Sequence, residues 1–524
     1  MTKHLNLNIQ DQFTKELPAD PIVDTNSRQV LQACFSYVNP KKTAQPELIH
    51  VSKNMLKNLG LTEADAKTEA FVKTFTGNSI LPNTKPYAMC YGGHQFGRWA
   101  GQLGDGRAIN LCEIEHNNNR WALQLKGAGK TPYSRTADGL AVLRSSVREY
   151  LCSEAMHYLG VPTTRALSLA LTGDMVLRDI LYNGNAAYEK GAVVTRVAPS
   201  FLRFGNYEIL AARQDIKTLK TLVNYTIKHH FSHLGAASKE TYLQFFQEVA
   251  TRTLHMIIHW QRVGFVHGVM NTDNMSVLGL TIDYGPYGWL EDFNFGWTPN
   301  TTDSQHKRYR FGNQPNMGLW NLYQLANALY PLIEDATALE AILNKYKTDF
   351  ELESLVMMRQ KLGLQLEHDQ DAQLVQDLET VLQLAETDMT IFFRNLANFK
   401  KEQPEQGSAL IKDAFYEPSK ITAAIKQQWV HWFEAYAKRL QKETMPHTAR
   451  QEFMNTINPK YVLRNYMAQL AIDAANQGDY SLIDTFFKLL KQPYHEQPHN
   501  QQWFAKRPDW AKYKVGCSML SCSS

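Results

Sequence analysis

The sequence predicts an α+β fold of two lobes, the first rich in sheet and the second helical, with an extension at each end. Three observations carry that prediction. Glycine is dense from Tyr91 to Arg107, and β-rich apolar runs then mark strands at Ala108 to Ile114 and Trp121 to Leu125 across the polar turn His116-Asn-Asn-Asn119. After about residue 207 the apolar spacing changes to three and four, most clearly from Tyr242 to Val263 with Phe246, Val249, Leu254, Ile257 and Trp260. That long helix runs directly into two polar, glycine-bearing phrases, Phe265-Val-His-Gly-Val-Met-Asn-Thr-Asp-Asn274 and Asp283-Tyr-Gly285.

The elements follow in order. Residues 1 to 85 are broken by Pro18, Pro21, Pro40, Pro46 and Pro82 into short pieces that read as an extension wrapping a later core. Residues 86 to 206 form the sheet-rich lobe. Within it Asp138-Gly139 opens a helix of about 20 residues, with Leu140, Leu143, Val147, Leu151, Ala155 and Tyr158 on one face and Gly160 and Pro162 as stop signals. Ala192 to Val197 is a further strand. Residues 207 to 400 form the helical lobe, and 401 to 524 a helical extension with a cysteine-containing tail.

Composition sets outer bounds on function. The 524 residues are 44% apolar and 20% charged, ordinary for a globular enzyme with a large core. The net charge of +4 is small and the basic residues are dispersed, so nucleic acid is not expected as a partner. No apolar run approaches the roughly 18 to 20 residues that a membrane span needs, and the amino end has no apolar signal core. A soluble, cytoplasmic protein is expected. Cys34, Cys90, Cys112 and Cys152 match neither a zinc site nor a disulfide framework, and Cys517 and Cys522 sit close together near the carboxyl end.

The order glycine-rich turn, strand, lysine, helix with an acid, strand, long helix, polar loop, Asp-x-Gly is the order of a protein-kinase-like fold. A kinase catalytic loop runs His-Arg-Asp-Leu-x-x-x-Asn, and its Asn together with the Asp of Asp-Phe-Gly holds magnesium over the nucleotide phosphates. With His267 and Asn274 on the ends of that template, the proton-accepting Asp falls on Val269, which cannot take a proton. Lys126 would meet the phosphates, Glu149 would orient it, and Asn274 and Asp283 would hold the metal. His267 reads as a buttress of the loop.

Long polar phrases then resemble the selenoprotein O family: Tyr91-Gly-Gly-His-Gln-Phe-Gly97, Gly101-Gln-Leu-Gly-Asp-Gly-Arg107, Leu125-Lys-Gly-Ala-Gly129, Thr131-Pro-Tyr-Ser-Arg135, Arg196-Val-Ala-Pro-Ser200, Leu202-Arg-Phe-Gly205, His267 to Asn274 and Asp283-Tyr-Gly-Pro286, with Cys522 third from the last residue. The resemblance implies a kinase-like enzyme that binds ATP in flipped orientation and transfers AMP to serine, threonine or tyrosine hydroxyls of proteins, releasing pyrophosphate. It implies ATP contacts at Gly104, Gly106, Arg107, Lys126, Asp138, Gly139, Arg196, Arg203 and Asp283, and Mg²⁺ or Mn²⁺ on Asn274 and Asp283. Asp273 is the base it assigns, although an adjacent carboxylate could equally be a metal ligand. It also suggests redox control through Cys517 and Cys522. Nothing from Asp283 to Trp320 is a cysteine, so a disulfide from the tail to that segment is ruled out.

Rival readings stay open at this level. Uridylyl transfer from UTP with Mn²⁺ would use the same residues, γ-phosphoryl transfer is opposed by Val269, and a silent, redox-linked nucleotide-binding scaffold would need no base. Gly127-Ala-Gly-Lys-Thr131 imitates the end of a phosphate-binding P-loop, but Gln124 stands where its first glycine belongs. His229, His230 and His233 have metal-like spacing without acidic support and read as a helix face, and Trp429, Trp432 and Phe433 read as packing.

Overall fold

The structure is a computed structural model, and it describes residues 5–180 and 183–521. It is a mixed α/β protein in which a sheet-rich region precedes a helical one. The strands are β1 Phe35–Tyr37, β2 Glu47–Val51, β3 Tyr87–Met89, β4 Gly92–Gln95, β5 Arg98–Gln102, β6 Ala108–His116, β7 Asn119–Lys126, β8 Ala141–Val142, β9 Arg165–Arg178, β10 Ala187–Ala198, β11 Phe265–Val266 and β12 Gly288–Trp289. The main sheet is antiparallel in the order β1-β3-β6-β7-β10-β9-β2, with β8 added on β10. Two small ladders, β4 with β5 and β11 with β12, stand apart from it.

The sheet is buried on both faces, and its strands alternate accordingly. In β10, Ala192 and Val194 pack with Val147 and Leu151 of the helix Leu143–Tyr158, while Val193 and Val197 face the other way onto Met55, Phe71 and Phe75. The first 85 residues therefore cover one sheet face, and they also supply its two edges, β1 and β2. The sequence reading did not anticipate those edge strands, because each is too short to show its own period.

Three other elements differ from the sequence expectation. The β6–β7 turn is the two-residue Asn117-Asn118, both left-handed at φ 50° and 61°, the geometry that matches the twist of a hairpin. The helix expected from Asp138 begins only at Leu143, because Ala141 and Val142 are drawn into pairing with β10. Strand β9 was not read at all, although Arg165-Ala-Leu-Ser-Leu-Ala-Leu-Thr172 is an apolar, strand-like run.

The helix Leu143–Tyr158 is buried on nearly every side. Beneath it lie the helices Asn465–Asn476 and Ser481–Leu490 from the carboxyl-terminal region. That region is fixed by charge as well. Arg464 donates to both oxygens of Asp388 at 2.8 and 2.9 Å and also to Glu291, and all three side chains are buried. Trp429, Trp432 and Phe433 are buried in an aromatic cluster with Phe392, Phe399 and Tyr436.

Removing the cation from a buried cluster leaves uncompensated charge, which costs about 3–5 kcal/mol. Arg464→Met is expected to lower the unfolding free energy by an amount of that order at pH 7, read as a lower urea midpoint at unchanged slope. The loss should shrink toward pH 5, because burial already raises the pKa of Glu291 and its protonation removes one of the stranded charges. An unchanged midpoint would refute this account.

Candidate active site

A cleft of about 680 Å³ lies between the sheet and the loop that follows the helix Lys239–Val263. One wall is the glycine turn Gly104-Asp-Gly-Arg107, which leads into β6. At Gly104, φ is +81° and a Cβ would lie 2.3 Å from the ring of Tyr133, so no other residue fits there. The loop from Gly127 to Gly139 closes over that turn. Gly127 N donates to Arg107 O at 2.7 Å, and Gly139 is so close to Gly129 that a Cβ would meet its carbonyl at 2.2 Å. No helix follows Lys130, and the next one begins at Leu143, so the P-loop imitation has no P-loop geometry.

Lys126 closes β7, and its Nζ lies 2.5 Å from Glu149 Oε2 on the buried helix. Burial lowers the Lys126 pKa to about 8 against the opposing pull of Glu149. Arg196, on β10, donates from Nη1 to Glu149 at 3.1 Å and to Asp283 Oδ1 at 2.6 Å, and from Nη2 to Gln124. Arg203, at the start of the helix Phe204–Ala212, donates to the other oxygen of Asp283 and to the carbonyl of Asp273 at 2.7 Å. Burial alone would raise the Asp283 pKa, but Arg203, Arg196 and Lys126 outweigh it and hold that carboxyl well below the usual range.

Asp273 has the opposite environment. It sits in the 3₁₀ turn Thr272–Asn274 and is 8% exposed. Burial raises its pKa to about 7, against the opposing pull of Gln95, Arg203 and its own backbone amide. Its Oδ2 accepts from Gln95 Nε2 at 3.2 Å, while Oδ1 is buried without a partner among the described residues. Gly93 lies so close that a Cβ there would meet Asp273 Oδ1 at 2.7 Å. Asn274 donates from Nδ2 to Val269 O at 2.9 Å, which leaves its Oδ1 for another partner. His267 is buried, stacks on Trp260 and bonds the Ile282 carbonyl through Nε2 at 2.8 Å, so it supports the residue before Asp283.

Of the predicted residues, Gly104, Gly106, Arg107, Lys126, Asp138, Gly139, Arg196, Asp273, Asn274 and Asp283 line this one cleft, and so does Val269. Glu149 and Arg203 stand behind it. Arg107 has no acidic partner among the described residues, whereas Asp138, at the rim, is held by both arms of Arg178 at 2.8 Å. Sequence reasoning missed Gln95 and Asp105, both of which line the cleft. Asp105 accepts from Met89 N at 2.9 Å and Asn110 Nδ2 at 3.2 Å and lies 4.0 Å from Arg203. Both fall within phrases singled out in the sequence, which was the available signal.

Other candidates do not converge. His229 pairs with Glu16, His233 with Glu248, and burial drops the His230 pKa to about 3. Cys517 is buried and its thiol is pushed up to about 11, while Cys522 lies outside the described residues. Leu520 pairs by backbone with Pro299 and Thr301, so the tail meets the segment after Asp283 without a disulfide.

For a divalent cation the donor set is all oxygen, from Asp283 and Asn274, the chemistry suited to Mg²⁺ or Mn²⁺. No group of three His, Cys, Asp or Glu side chains is preassembled among the described residues, so phosphate oxygens and water would have to complete the shell. No helix among the described residues is long and apolar enough to cross a membrane.

Comparison with known proteins matches the family described as protein adenylyltransferase SelO over residues 23–491. Relatives named protein nucleotidyltransferase YdiU include one from Flavobacterium johnsoniae, 62% identical over 99% of this chain and 100% of its own. Those from Aromatoleum aromaticum and Rhodopirellula baltica are 53% and 52% identical, each over 99% of this chain and 100% and 99% of their own. With Lys126, Glu149, Asn274 and Asp283 gathered at one cleft and likeness running almost end to end, the chain belongs to the SelO family of protein nucleotidyltransferases.

Proposed function

We propose that this chain transfers AMP from ATP to serine, threonine or tyrosine hydroxyls of proteins and releases pyrophosphate, in a two-lobed, protein-kinase-like cleft with ATP in flipped orientation. The observation that carries the reading is a pair of carboxyls driven apart by their surroundings: Asp273 near neutrality, Asp283 firmly anionic. Such a divergence separates an acid–base group from a permanent charge. Val269, 6% exposed, stands where a kinase would place its base.

In this reading Asp273 Oδ1 takes the proton from the acceptor hydroxyl, whose oxygen then bonds the α-phosphorus as the bond to pyrophosphate breaks. Gln95 fixes the other oxygen of Asp273. Arg107 and Lys126 meet the phosphates, and Arg196 and Arg203 keep Asp283 anionic and oriented toward the metal. Mg²⁺ or Mn²⁺ on Asp283 and Asn274 would neutralise phosphate charge as it develops. Uridylyl transfer from UTP with Mn²⁺ would use the same groups, and the comparison of labels below separates the two.

The purified protein is incubated with divalent cation and with ATP labelled at α or at γ, or with α-labelled UTP. Retained α-label from ATP is the expected result, γ-label would mean a kinase, uridylate label the rival activity, and no label a scaffold. Asp283→Asn should abolish transfer; it also strips a counter-charge from buried Arg196 and Arg203, so its urea midpoint should fall while the circular dichroism spectrum at 25 °C stays that of the folded chain. Lys126→Ala should raise the KM for ATP.

The pH dependence has a definite sign. Asp273 accepts a proton only once ionised, so kcat/KM should rise with pH through about 7. Lys126 loses its charge as pH passes about 8, so kcat/KM should then fall. Lys126→Arg should remove the alkaline limb and leave the acid limb. An acid limb near pH 4 would refute the role given to Asp273.

A further inference from the structure

The hairpin β4–β5 is built onto the residues that lead to Asp273. His94 N donates to Thr272 Oγ1 at 2.7 Å, and Gln95 reaches Asp273 itself. Phe96 N lies 3.2 Å from Asn271 Oδ1 and 3.0 Å from Tyr309 Oη. The hairpin tip cannot move far without disturbing that turn. At the tip, Phe96 and Trp99 are each 39% exposed and Arg98 is exposed between them.

Beside the tip runs Lys307-Arg-Tyr-Arg310. Arg308 lies along the hairpin, its Cζ 3.3 Å from where a Cβ on Gly97 would be, and it stacks over Trp320. The nearby acid Asp303 is buried and already spent on the backbone amides of Arg308 and Tyr309, at 2.9 and 2.7 Å. Among the described residues, Arg98, Lys307, Arg308 and Arg310 have no acidic partner in an ion pair. Four cations outside any ion pair among the described residues, with two exposed rings, thus border the turn that carries the proposed base, on a protein whose net charge is only +4.

We infer that the β4–β5 tip and the 307–310 segment form a docking strip for the acceptor polypeptide, and that it selects hydroxyls flanked by acidic residues. The inference rests on the transfer reading above, since it supposes that the acceptor approaches Asp273. Carboxylates beside the acceptor would meet Arg98, Lys307, Arg308 and Arg310, while Phe96 and Trp99 give apolar contact to the adjoining backbone and side chains. A nucleic acid could also use cations and exposed rings, but the adjoining Asp273 offers chemistry suited to a protein hydroxyl.

The test measures binding apart from transfer. A fluorescent peptide with one tyrosine between runs of glutamate is compared with its lysine-flanked counterpart by anisotropy, and α-label from ATP is followed on both. The acidic peptide is expected to bind about tenfold tighter, to lose that advantage as salt screens the charges, and to be labelled faster. In Arg98→Glu/Lys307→Glu the preference should vanish or invert, with binding of a fluorescent ATP analogue unchanged. Both side chains are exposed, so neither substitution removes a buried contact, and Arg98→Gln/Lys307→Gln gives an intermediate case that should lose about half the advantage.

Equal binding of the two peptides, a preference that survives charge reversal, or tighter binding of a single-stranded DNA oligomer than of the acidic peptide would overturn the docking strip. Absence of label on any peptide, with the binding preference present and lost in the variant, would count against the transfer reading alone and leave the strip standing.

Discussion

The grip of two arginines on Asp283 is the constraint on which the site depends. Arg196 belongs to the sheet, Arg203 to the helix that leaves it, and Asp283 to the loop after the long helix, so one carboxylate joins three parts of the molecule. None of these charges is tolerable alone in a buried setting. Glu149 extends the cluster to Lys126, and the carboxyl-terminal helices hold Glu149's own helix from below. Asp283 sits at φ 58°, in the left-handed region, which Asp enters more readily than most residues other than glycine.

The same cluster explains why two aspartates in one cleft differ so much. Asp283, 22% exposed at its side chain, is surrounded by cations, whereas Asp273, buried at 8%, is met by one amide hydrogen bond from Gln95, its own backbone amide and the distant pull of Arg203. Arg203 spends a hydrogen bond on the Asp273 carbonyl, which fixes the turn without charging the side chain. One nitrogen of that guanidinium, Nη1, thereby holds both the backbone at Asp273 and the carboxylate of Asp283, and the electrostatic contrast follows from the packing.

Much of the site was legible in the sequence because its residues lie in polar, glycine-bearing phrases that no ordinary core or surface requires. Lys126, Glu149, Asn274 and Asp283 could be placed from order and spacing alone. The directions of side chains could not. Arg196 and Arg203 read as phosphate contacts, yet both reach Asp283, and Arg203 lies outside the cleft wall. Gln95 and Asp105 stood in plain view within quoted phrases, but their meaning depends on contacts to Asp273 and to the strands around Met89 and Asn110 that span many residues. The long helices were visible through their periodicity, while β1, β2 and β8 have two to five residues each and acquire strand character only from their partners.

The edges of the main sheet bear on the behaviour of the chain outside its native state. Both β1 and β2 come from the first 51 residues, and β2 pairs with a strand more than a hundred residues later. Until β9 has joined, and permanently in a variant lacking that amino-terminal stretch, the hydrogen-bonding rims of β3 and β9 would face solvent beside a bare apolar surface. Unpaired rims of that kind template pairing between molecules, so pairing both edges is the means by which the amino-terminal segment covers them.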